Sequence, residues 1–176
     1  MPILIRDSRP EDVPSIHATY SHWVQHGLAS WELEPPEEAE IARRREHLLD
    51  AGYPYLVAER EGHVVGYAYA SAYRARPGYR YCCENSVYVA PGRHRGGIGE
   101  RLLNELIARC EALGFRQMIA VIGDSANEPS IRLHARCGFA RAGLLPSIGW
   151  KHGRWVDSVL MIRPLGAGDS TPPARP

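Results

Sequence analysis

Hydrophobic and polar residues alternate over Ile3–Asp7, the two-residue period of a short strand. The period then lengthens. Between Ser8 and Val24, the residues Val13, Ile16, Tyr20 and Trp23 or Val24 form one apolar stripe, and a serine and a proline stand near the start, as at helix openings. Gln25–Pro36, broken by a glycine and two prolines, predicts a loop. Glu37–Gly52 predicts a charged surface helix that ends before its glycine. Tyr53–Tyr73 reads as two strands around a turn at Glu61–Gly62, hence a hairpin.

Arg74–Arg80 is a further loop and Tyr81–Val89 a further strand. From about Gly99 to Leu113, the apolar positions Leu102, Leu103, Leu106, Ile107, Cys110 and Leu113 share one helical face, and Gly114 is placed to stop the helix. Arg116–Ile122 is a buried strand by composition. Asn127–Phe139 predicts a short helix with Asn127 as cap, Pro129 in the first turn and Gly138 at the end. Ala140–Leu165 supplies two last strands about a turn at His152–Gly153. The tail Gly166–Pro176 is small, polar and rich in proline, and is expected to be disordered. Strands outnumber helices and mix hairpins with crossovers, and neither a repeat nor a linker divides them. The expected architecture is one mixed α+β domain over residues 1–165, followed by the tail 166–176.

Composition narrows the function classes. A chain of 176 residues with 44% hydrophobic content suffices for one core. Its 21 basic and 20 acidic residues leave a net charge of +1, which argues against a dedicated nucleic-acid binder. No apolar run reaches membrane-spanning length and the N-terminus lacks a signal-peptide layout, so a cytoplasmic protein without a membrane partner is expected. Cys82, Cys83, Cys110 and Cys137 form neither a CxxC pair nor a spaced framework. They are read as reduced packing thiols, and no metal site is expected.

The chemistry concentrates where the strand Tyr81–Val89 meets a basic, glycine-rich turn and the next helix. Such a turn presents main-chain N–H groups at the positive end of a helix dipole. Gly96, Gly97 and Gly99 let a ligand approach the main chain, and Arg93, Arg95 and Arg101 add charge around the mouth. The natural occupant is a phosphate or pyrophosphate. The Walker pattern is excluded because no lysine follows the glycines. The dinucleotide fingerprint is excluded because the order is GGxG and the position is late in the chain.

These residues resemble the GCN5-related N-acetyltransferases (the GNAT family). That family carries Gln/Arg-x-x-Gly-x-Gly/Ala between its fourth strand and third helix. "HRGGIG", His94 to Gly99, fits with His94 in place of the usual Gln or Arg. "NEPSIRLHARCGF" is similar to the second family signature, with His134 where many members have Tyr. "SWELEPP", "YRYCCENSVYV", "AVIGDSANEPSIRLH" and "KHGRWVD" look like the phosphinothricin and methionine sulfoximine/sulfone acetyltransferase branch, and the similarity runs over about Ile3 to Leu165.

The resemblance implies a twisted, mostly antiparallel sheet of about seven strands, its fourth and fifth strands splayed, with about four helices. It implies acetyl-coenzyme A as co-substrate, a small-molecule amine as acceptor and a homodimer. By position, Glu84 matches the branch's general base, and a carboxylate on a strand otherwise read as apolar is costly unless it faces a cleft or solvent. His134 matches a proton donor to the departing thiolate or a partner in deprotonation, the plain alternative being a surface histidine. For the cofactor, the resemblance points to the main chain of Val87, Tyr88 and Val89, to Arg95, Gly96, Gly97, Ile98, Gly99, Glu100 and Arg101, and to Asn127, which is also a plausible simple cap. Arg74, Arg76 and Arg80 crowd the loop before Glu84 and suit a carboxylate or phosphinate gripped in fork geometry. Trp31 and Tyr73 are candidate pocket walls, and Trp31 is equally a candidate loop anchor. The function expected is transfer of an acetyl group to the α-amine of a small amino acid with an anionic or strongly polar side chain. The alternatives are acetylation of another amine and a coenzyme A-binding module without catalysis.

Overall fold

A computed structural model describes residues 2–93 and 96–173. His94 and Arg95, expected at the phosphate turn, and the last three residues of the tail lie outside the described residues. Among the described residues, seven strands run in the order β1 (Leu4–Asp7), β2 (Tyr55–Arg60), β3 (His63–Ala72), β4 (Cys82–Val89), β5 (Gln117–Gly123), β7 (Arg154–Pro164), β6 (Ala140–Lys151) across one sheet. Every neighbouring pair is antiparallel except β4 and β5, which are parallel. The described α-helices that join them are α1 (Val13–His26), α2 (Glu38–Asp50), α3 (Ile98–Ala112) and α4 (Glu128–Arg136). This is the mixed α+β sheet expected from the sequence, including the parted β4 and β5.

Strand alternation decides which side chains meet which helices. The register pairs Tyr67 with Tyr88, Tyr69 with Ser86 and Ser71 with Glu84, so these residues share one face. Tyr55 and Val57 of β2 join them there. Val13, Ile16, Tyr20 and Val24 of α1 and Ile41 of α2 bury that face. The other face carries Leu56, Ala58, Ala68, Ala70 and Cys83, which pack on Ile98, Leu102, Leu103, Leu106, Ile107 and Cys110 of α3. The stripe read from the sequence is thus the buried face of α3, except for Leu113, which is exposed one residue past the helix end. Cys83, Cys110 and Cys137 are buried and all four cysteines are free thiols. The neighbouring Cys110 and burial together push the Cys83 thiol up, so it stays protonated.

The outer strand β6 is a different kind of surface. Leu144, Leu145, Ile148 and Trp150, with Trp155 of β7, are all exposed on an edge strand of 12 residues. Beyond β7, Leu165 is fully buried, and Arg116 donates to the carbonyls of Gly168 (2.7 Å) and Thr171 (2.6 Å). The first part of the tail is therefore tied to the body.

Candidate active site

The parallel strands β4 and β5 stay in register for three rungs, Cys82 with Gln117, Cys83 with Met118 and Glu84 with Ile119. Both strands continue past the last rung, so a cleft opens between them. A cavity of about 350 Å³ occupies it, reached by Glu84, Asn85 and Tyr88 from β4, Ile122 from β5, His134 from α4 and Trp31 from the loop after α1. That is enough room for a small ligand or the end of a longer one. Val87 lines the same cavity.

Glu84 stands at the parting of the strands. Its side chain is half-buried, and no ion pair among the described residues holds it. Burial raises its pKa above the ordinary carboxylate range. A carboxyl so placed takes a proton more readily than an exposed one, as a base toward an ammonium requires.

His134 is buried rather than on the helix surface, and its ring packs edge-on against Phe139 at 5.1 Å. Nε2 lies 3.0 Å from Asn85 Oδ1. Asn85 Nδ2 donates to the Ile119 carbonyl at 3.0 Å, which leaves only an acceptor turned to the ring, so the contact needs a proton on Nε2. Nδ1 lies 2.8 Å from the Ser130 carbonyl and 3.4 Å from its hydroxyl. Burial lowers the pKa of the ring, and the Ser130 carbonyl works the other way.

The loop that carries Trp31 is fixed from two sides. The ring of Trp31 lies over Gly149 of β6, where an added Cβ would come within 2.0 Å of it. Lys151, at the end of β6 and only 2% exposed, donates from Nζ to the Ser30 carbonyl at 2.7 Å. Ser30 Oγ and the Tyr20 hydroxyl lie 3.0 Å apart. Trp31 is thus both wall and anchor.

At the other end of β4, the glycine turn leads into α3. Gly96 and Gly97 have φ values of 104° and 71°, a region that side chains with a Cβ rarely adopt. No atom stands within 4 Å of a Cβ position on Gly97, so the turn is open there. The first N–H groups of α3, from Ile98 onward, have no partner within the helix. Ile98 buries its side chain in the core and offers the turn only its main chain. Gly99 has a further duty, because a Cβ on it would approach Leu133 of α4 to 3.1 Å. Glu100 lies 3.8 Å from Arg136 of α4, and Arg101 is exposed. Arg60, at the end of β2, was not singled out by sequence. Its guanidinium reaches the turn, 2.8 Å from where a Cβ on Gly96 would stand.

The remaining sequence candidates sit apart from the cavity. Asn127 caps α4, accepting from Ser130 N at 3.3 Å and donating to the Gly123 carbonyl at 3.1 Å. Arg74 lies over the ring of Tyr73 at 5.2 Å and Arg80 over Tyr81 at 4.7 Å. Tyr73 meets Tyr79 edge-on at 5.7 Å. Arg74, Arg76 and Arg80 are exposed, on the loop that joins the Ser71–Glu84 end of the hairpin. Among the described residues no cluster of His, Cys, Asp and Glu is arranged to hold a metal ion.

Comparison with known proteins agrees with this geometry. The family model described as acetyltransferase (GNAT) family matches residues 16–139. Phosphinothricin N-acetyltransferase of Alcaligenes faecalis is 54% identical over 169 residues, covering 96% of this chain and 86% of that protein. The L-methionine sulfoximine/L-methionine sulfone acetyltransferase of Pseudomonas aeruginosa PAO1 is 38% identical over 169 residues, covering 96% of this chain and 98% of that protein. The crystal structure of a phosphinothricin acetyltransferase from Sinorhizobium meliloti in complex with acetyl-coenzyme A superposes with a TM-score of 0.96 at 49% identity, covering 99% of this chain and 95% of that one.

Proposed function

The chain belongs to the GNAT acetyltransferase family, and we propose that it acetylates the α-amine of a small amino acid of the phosphinothricin, methionine sulfoximine or methionine sulfone type, with Glu84 as general base. The observation that carries this reading is the half-buried, unpaired Glu84 at the mouth of the β4–β5 cleft. The chain is an N-acetyltransferase that uses acetyl-coenzyme A. The amine named here follows the activities of its relatives.

The residues present suit acetyl-coenzyme A. The turn leaves open room at Gly97, and the N-terminus of α3 offers N–H groups to a pyrophosphate. Arg101 and Arg60 add charge at its edge. Beyond the last β4–β5 rung the main chain of Val87 and the N–H of Val89 turn to the cleft and are offered to the pantetheine arm, while Tyr88 pairs with β3 and the Val89 carbonyl accepts from Trp23 Nε1 at 2.8 Å. When bound, acetyl-coenzyme A supplies the thioester acyl group.

The protein's part is proton handling and charge. Glu84 takes the proton of the substrate ammonium, freeing the lone pair that forms the new C–N bond as the C–S bond breaks. Main-chain N–H groups of β4 beyond Glu84 stabilise the negative charge that develops on the acyl oxygen. The proton shed by the acylated nitrogen passes to the departing thiolate. The Nε2–H of His134 is held by Asn85 Oδ1 and its ring is buried, so its part is to shape the cleft beside the thioester rather than to give up that proton. Arg74, Arg76 and Arg80, with Tyr73, lie outside the cavity on the loop leading to Glu84, and their charge suits the anionic end of the amino acid where it projects from the cavity; Trp31 bounds the pocket from the loop side. The exposed apolar residues of β6 and β7 support a homodimer through that edge. Sedimentation velocity tests it: a dimer is expected for the wild type and a monomer for Trp155→Glu. Four free thiols suit the reducing cytoplasm.

The test of function is release of free coenzyme A thiol from acetyl-coenzyme A, measured across an amine panel that includes phosphinothricin and both methionine analogues. Amine-dependent release with at least one of the three is expected. Binding of acetyl-coenzyme A with no amine-dependent release would make the chain a binding module. Release only with polyamines or peptide N-termini would reassign the substrate.

A further inference from the structure

We infer that Asn85 is a positioning residue that sets where the cleft begins and so holds it open for the acyl donor. It follows Glu84 directly but faces the opposite side of the sheet, toward α4. It is 6% exposed and lines the cavity at its inner tip. Its Nδ2 donates to the carbonyl of Ile119, the last β5 residue in register with β4. Its Oδ1 accepts from His134 Nε2, and His134 is seated in turn against Ser130 and Phe139. A chain of contacts therefore runs from β4 to β5 and to α4 at the single place where the two strands part. The amide spans the strands at the last rung and takes the Ile119 carbonyl that further main-chain pairing with β4 would use. His134 fixes which way the amide points.

This inference rests on the reading that the acyl donor lies between β4 and β5, and its test is independent of the amine. Coenzyme A affinity is measured by calorimetric titration for Asn85→Ala and for Asn85→Leu, which keeps the branched shape but makes neither hydrogen bond. Thermal unfolding identifies which variants are folded, and steady-state kinetics on the wild type's best amine follow. The expected result is coenzyme A binding weakened at least tenfold in Asn85→Ala, with the KM for acetyl-coenzyme A raised to match and the KM for the amine within twofold of wild type. Asn85→Leu should show the same split, because the amide loses its hold on Ile119. His134→Phe should weaken coenzyme A in the same direction, and adding it to Asn85→Ala should bring little further loss, as for residues acting as one unit. Coenzyme A affinity within twofold of wild type in the folded Asn85 variants would overturn the inference, as would an equal rise in both KM values. Failure of the wild type to release thiol with any amine would sink the proposed function and leave the titration result standing.

Discussion

Glu84 of β4 stands in register with Ile119 of β5, and theirs is the last rung before the two strands part. On the other side of β4, the same Glu84 is paired with Ser71 of β3, one residue before that strand ends. The carboxylate therefore sits where the sheet stops being continuous, between a cleft on one flank and the arginine-bearing loop at one end. Its surroundings withdraw water without supplying a cation, and this raises its pKa.

The glycine turn is expected to govern cofactor affinity at every pH. Gly97 precedes α3 in the left-handed region, φ 71°. A valine there meets a backbone penalty of roughly 1–2 kcal/mol and places a side chain in the space left for the pyrophosphate. Gly97→Val should abolish detectable coenzyme A binding by titration, with the thermal unfolding temperature only slightly lower. Retained affinity would move the phosphate site elsewhere.

The arginine loop is expected to read the anionic end of the amino acid. Arg74 and Arg80 are exposed and held over tyrosine rings rather than in ion pairs. Arg74→Ala and Arg80→Ala should raise the KM for the amino acid about tenfold and leave that for acetyl-coenzyme A unchanged, since a charge-assisted bond is lost on one substrate only. Unaltered amino-acid kinetics in both variants would show that the loop has no part in recognition.

Most of this fold is legible in the sequence because burial alternates in step with the strands and the stripe of α3 is continuous. The glycine turn is legible as a turn into a helix, because its glycines interrupt the strand pattern just before the apolar stripe of α3 begins. Asn85 is not. An asparagine inside a strand reads as an ordinary polar position until Ile119 is known to lie across from it and His134 above it. Lys151 is hidden for a similar reason. A lysine beside a turn looks solvated, and only the packing of the distant Ser30–Trp31 loop reveals that it is buried. Local pattern records which face a residue takes. Contacts between elements far apart in the chain leave no periodic trace.

Lys151 yields a stability prediction from that contact. Burial lowers the pKa of its ammonium, and the Glu32 carboxylate opposes the shift. Lys151→Met keeps the stem but removes the bond to the Ser30 carbonyl, a charged hydrogen bond of about 2 kcal/mol. The unfolding temperature should fall by roughly 4–8 °C. With Trp31 less firmly held, the KM for the amino acid should rise as well. An unchanged unfolding temperature would mean that Trp31 on Gly149 and the Ser30–Tyr20 contact secure the loop without Lys151.

The most direct test of the account is the pH–rate profile of Glu84→Gln beside that of the wild type. Coenzyme A affinity should be unchanged, because the substitution leaves the turn and the main chain of β4 intact. In the wild type, kcat/KM for the amine should rise with pH through a pKa above the ordinary carboxylate range, as Glu84 loses its proton and becomes a base. In Glu84→Gln that limb should vanish. Turnover near neutral pH should fall by about 10²–10⁴-fold, then recover about tenfold per pH unit as the free amine itself deprotonates. A variant with wild-type turnover and an unaltered profile would contradict the central claim and remove Glu84 from the chemistry.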